Sequence, residues 1–165
     1  MREQPVSQAC LKALLDYDPD TGIFVWKASR PCGVKQGQIA GSIGNRGHRM
    51  ISINGASHLA HRLAWLYVHG EWPPAQIDHI NGRRSDNRIV NLRLATPTQN
   101  NQNKRHWKTV GFKGVRFRPQ TGNWQARITV GGKTKSLGSY PSPEAAHAAY
   151  AAAAYEHFGE FARVS

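Results

Sequence analysis

Turn and helix-cap signals divide this chain into short elements whose order restricts the folds open to it. In LLDYDPDTGIFVWK two short apolar runs flank Asp18-Pro19-Asp20-Thr21-Gly22, the pattern of a hairpin. HRMISINGAS carries Met50, Ile51 and Ile53 ahead of Asn54-Gly55, a tight-turn pair. Ser57 predicts the cap of a helix over HLAHRLAWLYVH, with Leu59, Leu63 and Leu66 or Tyr67 on one face and Gly70 as its stop. Beyond Pro73-Pro74, residues 76–80 and 92–95 read as short strands. Thr96-Pro97-Thr98-Gln99 then opens a helix, with Thr96 as N-cap, Pro97 at the first helical position and Gln99 closing a capping box. After a polar joint at 103–110, GVRFRP, NWQARITV and KTKSLGSY read as strands separated by Gly-containing turns. Ser142-Pro143-Glu144 starts an alanine-rich helix that ends at Gly159. The expected fold is α+β in two domains. Residues 1–106 hold a strand–loop–strand–helix core at about 76–105, and residues 107–165 form a three-stranded antiparallel sheet covered by one helix.

The charge is strongly one-sided. The 165 residues include 22 Lys or Arg and 10 Asp or Glu, a formal charge of +12, which points to a polyanionic partner. Between Asp86 and Glu144 no acidic residue occurs, while Arg88, Arg93, Lys104, Arg105, Lys108, Lys113, Arg116, Arg118, Arg127, Lys133 and Lys135 fall inside that gap and go unopposed within it. Trp107, Phe112, Phe117 and Trp124 are interleaved with them. One reading is a solvated basic face; the other, better suited to a block this long, is a nucleic-acid surface. No apolar run approaches the ~18 residues of a membrane span. MREQPVSQAC has no signal-peptide core, so the expectation is a soluble protein in a reducing, intracellular setting, the cytoplasm of a bacterial or phage-infected cell. Cys10 and Cys32 offer neither a disulfide framework nor a four-cysteine zinc site.

Chemistry concentrates in IDHING, NLR and TQN. Asp78 and His79 end one strand, Asn91 precedes the returning strand, and Asn100 lies on the first turn of the next helix, so a strand pair packed on that helix would gather Asp78, His79 and Asn100. An Asp carboxylate and an Asn carbonyl are hard oxygen ligands for Mg²⁺ or Mn²⁺. A neutral histidine beside them can take the proton of an attacking water. These are the parts of metal-assisted phosphodiester hydrolysis.

Residues 48 to 105, through IDHINGRRSDNRIVNLRLATPTQNNQNK and the preceding HLAHRLAWLYVHGEWPP, resemble the HNH endonucleases, especially the phage and intron-encoded homing enzymes with a ββα-metal motif. The resemblance implies Asp78 and Asn100 as metal ligands, His79 as general base, and Asn91 as the residue that holds the loop and orients the histidine. The third motif position is Asn100 where many members have His. With no cysteine ribbon, no structural zinc is expected. Residues 111 to 161, through GFKGVRFRP, NWQARI, SLGSYPSPEAAHAAYAAAA and FGEFA, resemble the Apetala2-type DNA-binding domain, which presents its sheet to the major groove. Arg127 departs from it, standing where plant domains have an acidic residue.

The implied partner is double-stranded DNA, with no membrane and no obligatory protein partner, the chain acting as a monomer or weak dimer. Arg116 and Arg118, then Arg127, Lys133 and Lys135, are the contact candidates on the sheet, since alternation can align several on one face. Trp124 suits either that surface or the core, to which Phe112, Ile128, Leu137 and Tyr140 are assigned. Arg83, Arg84 and Arg88 in the motif loop either grip the cleaved strand or are solvated, and Lys104 and Arg105 extend the basic track. His58, His61 and His69 are assigned helix-terminal or core roles outside the chemistry. Two other readings stay open: a DNA-binding regulator on an inactive nuclease scaffold, and an RNA-directed protein.

Overall fold

A computed structural model describes residues 6–31, 33–102 and 111–164, which form two compact units, Met1–Thr96 and Pro97–Ser165. Cys32, Lys104, Arg105, the joint, and the expected boundary between residues 106 and 107 lie outside the described residues.

The first unit opens with α1 (Gln8–Leu14), capped by the Ser7 hydroxyl, which accepts from Cys10 N–H at 3.2 Å. The hairpin follows as β1 (Leu15–Asp18) and β2 (Ile23–Trp26). Its turn is held by the Asp18 carboxylate, which accepts from Asp20 N–H at 2.9 Å and from the Thr21 hydroxyl at 2.8 Å. Next comes a sheet of β3 (Ser42–Ile43), β4 (Arg49–Ile53) and β5 (Ala56–Leu59). Asn54 and Gly55 have φ of 52° and 83°, the two positive values that a two-residue hairpin turn requires. Ile51 and Ile53 point inward, whereas Met50 is exposed.

The helix expected from Ser57 starts later. That turn carries the chain straight into the ladder, pairing Ser57 with Ser52, so α2 (Ala60–His69) begins after Leu59 with no side-chain cap. It ends as expected at Gly70, in left-handed conformation with φ 85°. Leu63 and Leu66 are buried, and Tyr67 packs partly against the same core. Then β6 (Gln76–His79) and β7 (Leu92–Ala95) pair antiparallel, with Asp78 opposite Arg93 and His79 opposite Leu92. One apolar core, including Leu11, Leu15, Phe24, Ile51, Ile53, Leu63, Ile77 and Leu92, unites these elements.

The second unit comprises α3 (Pro97–Gln102), the sheet β8 (Val115–Arg118), β9 (Asn123–Val130) and β10 (Lys133–Tyr140), and α4 (Pro143–Phe158). The strands run antiparallel in the order β10-β9-β8. Ser142 caps α4 by accepting from Ala145 N–H at 3.2 Å. Ala146, Ala153 and Ala154 are buried with Tyr150 against Val115, Ala126 and Ile128, because small side chains let the helix lie close to the strands. Phe112, Leu137 and Tyr140 pack partly buried at the edges of this core.

Cross-strand partners share a face, which divides the basic residues of the sheet. Arg116 pairs with Gln125, Arg118 with Asn123 and Arg127 with Ser136, all on the face away from the buried Ala126 and Ile128. Lys133 pairs with Val130 and Lys135 with Ile128, so both lysines take the opposite face and the expected five-residue alignment reduces to three arginines. Trp124 shares the helix-side face, packed on the core with its ring 4.9 Å from Phe117. Arg118 donates to Gln125 Oε1 from Nε at 2.9 Å and from Nη2 at 2.7 Å.

At Gly114 (φ 76°) a Cβ would run into the ring of Tyr150. Gly114→Ala is therefore expected to lower the denaturant-unfolding free energy of the second unit by about 1–3 kcal/mol through combined overpacking and backbone strain. An unchanged midpoint would contradict this packing.

Candidate active site

β6 is buried over three consecutive residues, Ile77, Asp78 and His79, although two of them are polar; Asp78 is 4 % and His79 5 % exposed. Adjacent strand residues leave opposite faces, so the two side chains meet different surroundings. Arg93 reaches the Asp78 carboxylate across the ladder, donating to Oδ2 from Nε at 2.9 Å and from Nη2 at 2.8 Å. His79 stands 4.9 Å, ring to ring, from His61 on α2 and 5.6 Å from His48, just before β4; His48 and His61 are 5.0 Å apart.

The loop from β6 to β7 is closed by the carboxamides of Asn81 and Asn91. Asn91 Oδ1 accepts from Asn81 N–H at 3.0 Å, while its Nδ2 donates to the Asp86 carbonyl at 2.8 Å. Asn81 Nδ2 donates to Asp86 Oδ2 at 2.7 Å, and its Oδ1 accepts from Arg83 N–H at 2.8 Å. Arg88 forks onto Asp86, from Nε to Oδ1 at 2.8 Å and from Nη2 to Oδ2 at 2.7 Å. The N-terminal hairpin braces this loop from below: Tyr17 donates its hydroxyl to the Asn87 carbonyl at 2.8 Å. Gly22 leaves no room for a Cβ against the backbone of Asn87 and Arg88.

The electrostatics follow from burial. Desolvation lowers the His79 pKa, against the opposing influence of Asn87 and the nearby carboxylates of Asp78 and Asp86. The His48 pKa is lowered by burial, then by His79 and Arg84. His61 is pushed down to about 3, by burial first and then by its two histidine neighbours. Three neutral imidazoles therefore sit side by side near pH 7. The Asp86 carboxyl is held down at about 2, chiefly by the Arg88 hydrogen bonds.

The basic block is less unopposed than its sequence reads. Arg88 and Arg93 are ion-paired to Asp86 and Asp78, acidic residues just outside the acid-free interval. Arg83 and Arg84 are exposed in the loop, with Arg84 donating to the Arg46 carbonyl at 2.9 Å. Asn100 lies on α3 in the second unit. His61, which reads from sequence as a helix-terminal or core residue, is buried beside His79, and His48, which carries no sequence signal, packs against both rings. The usable signal is that HRLA puts His61 three residues before Ala64, on one stripe of the helix, and both are buried.

Residues 58–102 match the model of the HNH endonucleases. The chain is 33% identical over 82 residues to Protein 3.8 of Escherichia phage T7, covering 48% of this chain and 68% of that protein. It is 34% identical over 121 residues to the "Uncharacterized HNH endonuclease L560" of Acanthamoeba polyphaga mimivirus, covering 73% of this chain and 63% of that protein. The chain belongs to the HNH endonuclease family. The matched HNH segment includes His61, Asp78, His79, Asn91 and Asn100. Members of this family use a divalent metal, and Asp78 presents a carboxylate, a hard oxygen donor, on which Arg93 engages Oδ2. No helix among the described residues is long and apolar enough to cross a membrane.

Because the folded pKa of Asp86, about 2, lies below its ordinary 3.8, its stabilising contribution is present above pH 3.8 and is lost as pH falls through about 2. Asp86→Asn is expected to lower the stability of the first unit at pH 6, and the gap from wild type should close between those two values. Urea melts across the acid range measure this; a gap independent of pH would contradict the role given to the Arg88 fork.

Proposed function

We propose that this HNH protein is a metal-dependent endonuclease that hydrolyses phosphodiester bonds in double-stranded DNA. The observation that carries the reading is a buried His79, kept neutral by desolvation and fixed at the end of β6 next to Asp78, inside the segment that matches the HNH family. A neutral imidazole can accept a proton, and one near neutrality in its working range is suited to general-base catalysis. His79 takes the proton of a water attacking in line on the scissile phosphate. Asp78 and Asn100 would hold the divalent ion, Mg²⁺ or Mn²⁺, with Arg93 fixing the carboxylate. When bound, that ion supplies Lewis-acid stabilisation of charge on the departing 3′ oxygen. Asn91 holds the loop and orients His79 without touching metal. The products are 5′-phosphate and 3′-hydroxyl ends, and one site cuts one strand.

The second unit is proposed to act as an Apetala2-like module that holds the duplex and makes cleavage site-selective, as in homing enzymes. Arg116, Arg118 and Arg127 share the outer face of its sheet, which suits them to base edges or phosphates in the major groove. Lys133 and Lys135, on the other face, are better suited to flanking phosphates, as are the loop residues Arg83 and Arg84. Lys104 and Arg105, outside the described residues, are proposed as further DNA contacts.

His79→Ala is expected to lower the nicking of supercoiled plasmid in Mg²⁺ by about 10²–10⁴-fold. Asp78→Ala should lower it comparably, and chelation should abolish it. Both variants should keep wild-type DNA affinity at fixed salt. Full nicking by both variants would sink the assignment, whereas DNA binding by the wild type with no metal-dependent nicking would mark a DNA-binding protein on an inactive nuclease scaffold.

A further inference from the structure

We propose that His48, His61 and His79 form a binding site for a transition-metal ion, zinc foremost, that is distinct in donor chemistry from the hard-oxygen site at Asp78. Three elements distant in sequence converge here: the residue before β4, the first turn of α2 and the end of β6. Each histidine offers one ring nitrogen, and the three nitrogens lie within 4.8 Å of one another. A tetrahedral ion with bonds of ~2.1 Å sets its nitrogen ligands about 3.4 Å apart, a closure that small ring rotations can supply. His48 Nδ1 and His61 Nδ1 are buried with no hydrogen-bond partner among the described residues. A buried polar atom left this way costs ~1–3 kcal/mol, so buried ring nitrogens gathered within reach of one ion suit an electrophile. Packing alone would be served better by apolar side chains.

The ligand class selects the metal. Imidazole nitrogens suit zinc, copper, nickel and cobalt, whereas Mg²⁺ and Mn²⁺ favour the oxygens of carboxylates and carboxamides. No cysteine is required, so the absence of a zinc ribbon does not bear on it. Three protein ligands leave a fourth position for water or an anion.

One consequence rests on the reading of His79 as general base. A neutral imidazole bound to metal through either nitrogen keeps its proton on the other, and so has no lone pair left to accept one from water. Zinc on the triad would therefore silence Mg²⁺-dependent cleavage while leaving DNA binding in place.

The test is a Co²⁺ titration of the metal-stripped full chain, followed by visible absorption and by displacement with Zn²⁺. Wild type should bind one Co²⁺ with the absorption of a four-coordinate site, and Zn²⁺ should displace it. His48→Ala and His61→Ala should each weaken binding at least tenfold, and Asp78→Ala should retain it. His61 is buried, so its variant can fail to fold; His48 is only half-buried, and its variant then decides. Absence of binding by wild type, unchanged affinity in His48→Ala, or loss in Asp78→Ala alone would each overturn the site. Triad-dependent Co²⁺ binding by a chain that, stripped of that metal and given Mg²⁺, cuts no DNA would support the metal site and refute the endonuclease reading separately.

Discussion

Burying two adjacent polar residues, Asp78 and His79, at the end of β6 imposes the demand that much of the first unit answers. Removing a carboxylate from water costs several kcal/mol unless a counter-charge and hydrogen bonds replace the lost solvation. Arg93 meets that demand from the directly opposed position on β7, where strand register alone fixes the approach. His79 faces the other way, where an uncharged ring is compatible with burial and its two neighbours are also neutral imidazoles. The same burial screens the Asp78 carboxylate from bulk water and keeps the His79 ring neutral.

The rest of the unit keeps this arrangement rigid. Asn91 uses both ends of its carboxamide within the loop, and Asn81 does the same, so four short polar contacts take the place of an apolar core in a stretch that has almost none. Asp86 is the hub, and its low pKa records how strongly Arg88 engages it. The N-terminal hairpin adds a support that is distant in sequence, through Tyr17 on the Asn87 carbonyl and the bare Cα of Gly22 against the same backbone. A hairpin that reads as peripheral thus bears on the geometry of the loop.

Local signals made much of the fold legible. Asp18–Gly22, Asn54-Gly55, Gly70 and Ser142-Pro143 each stand at a turn or helix end, because their backbone and hydrogen-bonding requirements are met within a few residues. Strands β7, β9 and β10 were readable from alternation between such signals. What was not legible depended on contacts between distant segments. Ser57 offered a plausible cap, but the turn before it drew it into β5. The lysines of β10 were one register step off the arginine face, which only the pairing with β9 reveals. The convergence of His48 and His61 on His79 arises from tertiary packing of β4, α2 and β6, and no local pattern announces it.

In the proposed function, a hydrogen-bonded loop frame positions a neutral His79 for chemistry. The most direct measurement is the single-turnover cleavage rate of Asn91→Ala across pH, with DNA affinity and circular dichroism recorded on the same protein. A loss of at least about 10²-fold is expected at every pH, as when a general base is misplaced, with DNA affinity and folded signal unchanged. A wild-type cleavage rate and pH profile in that variant would contradict it.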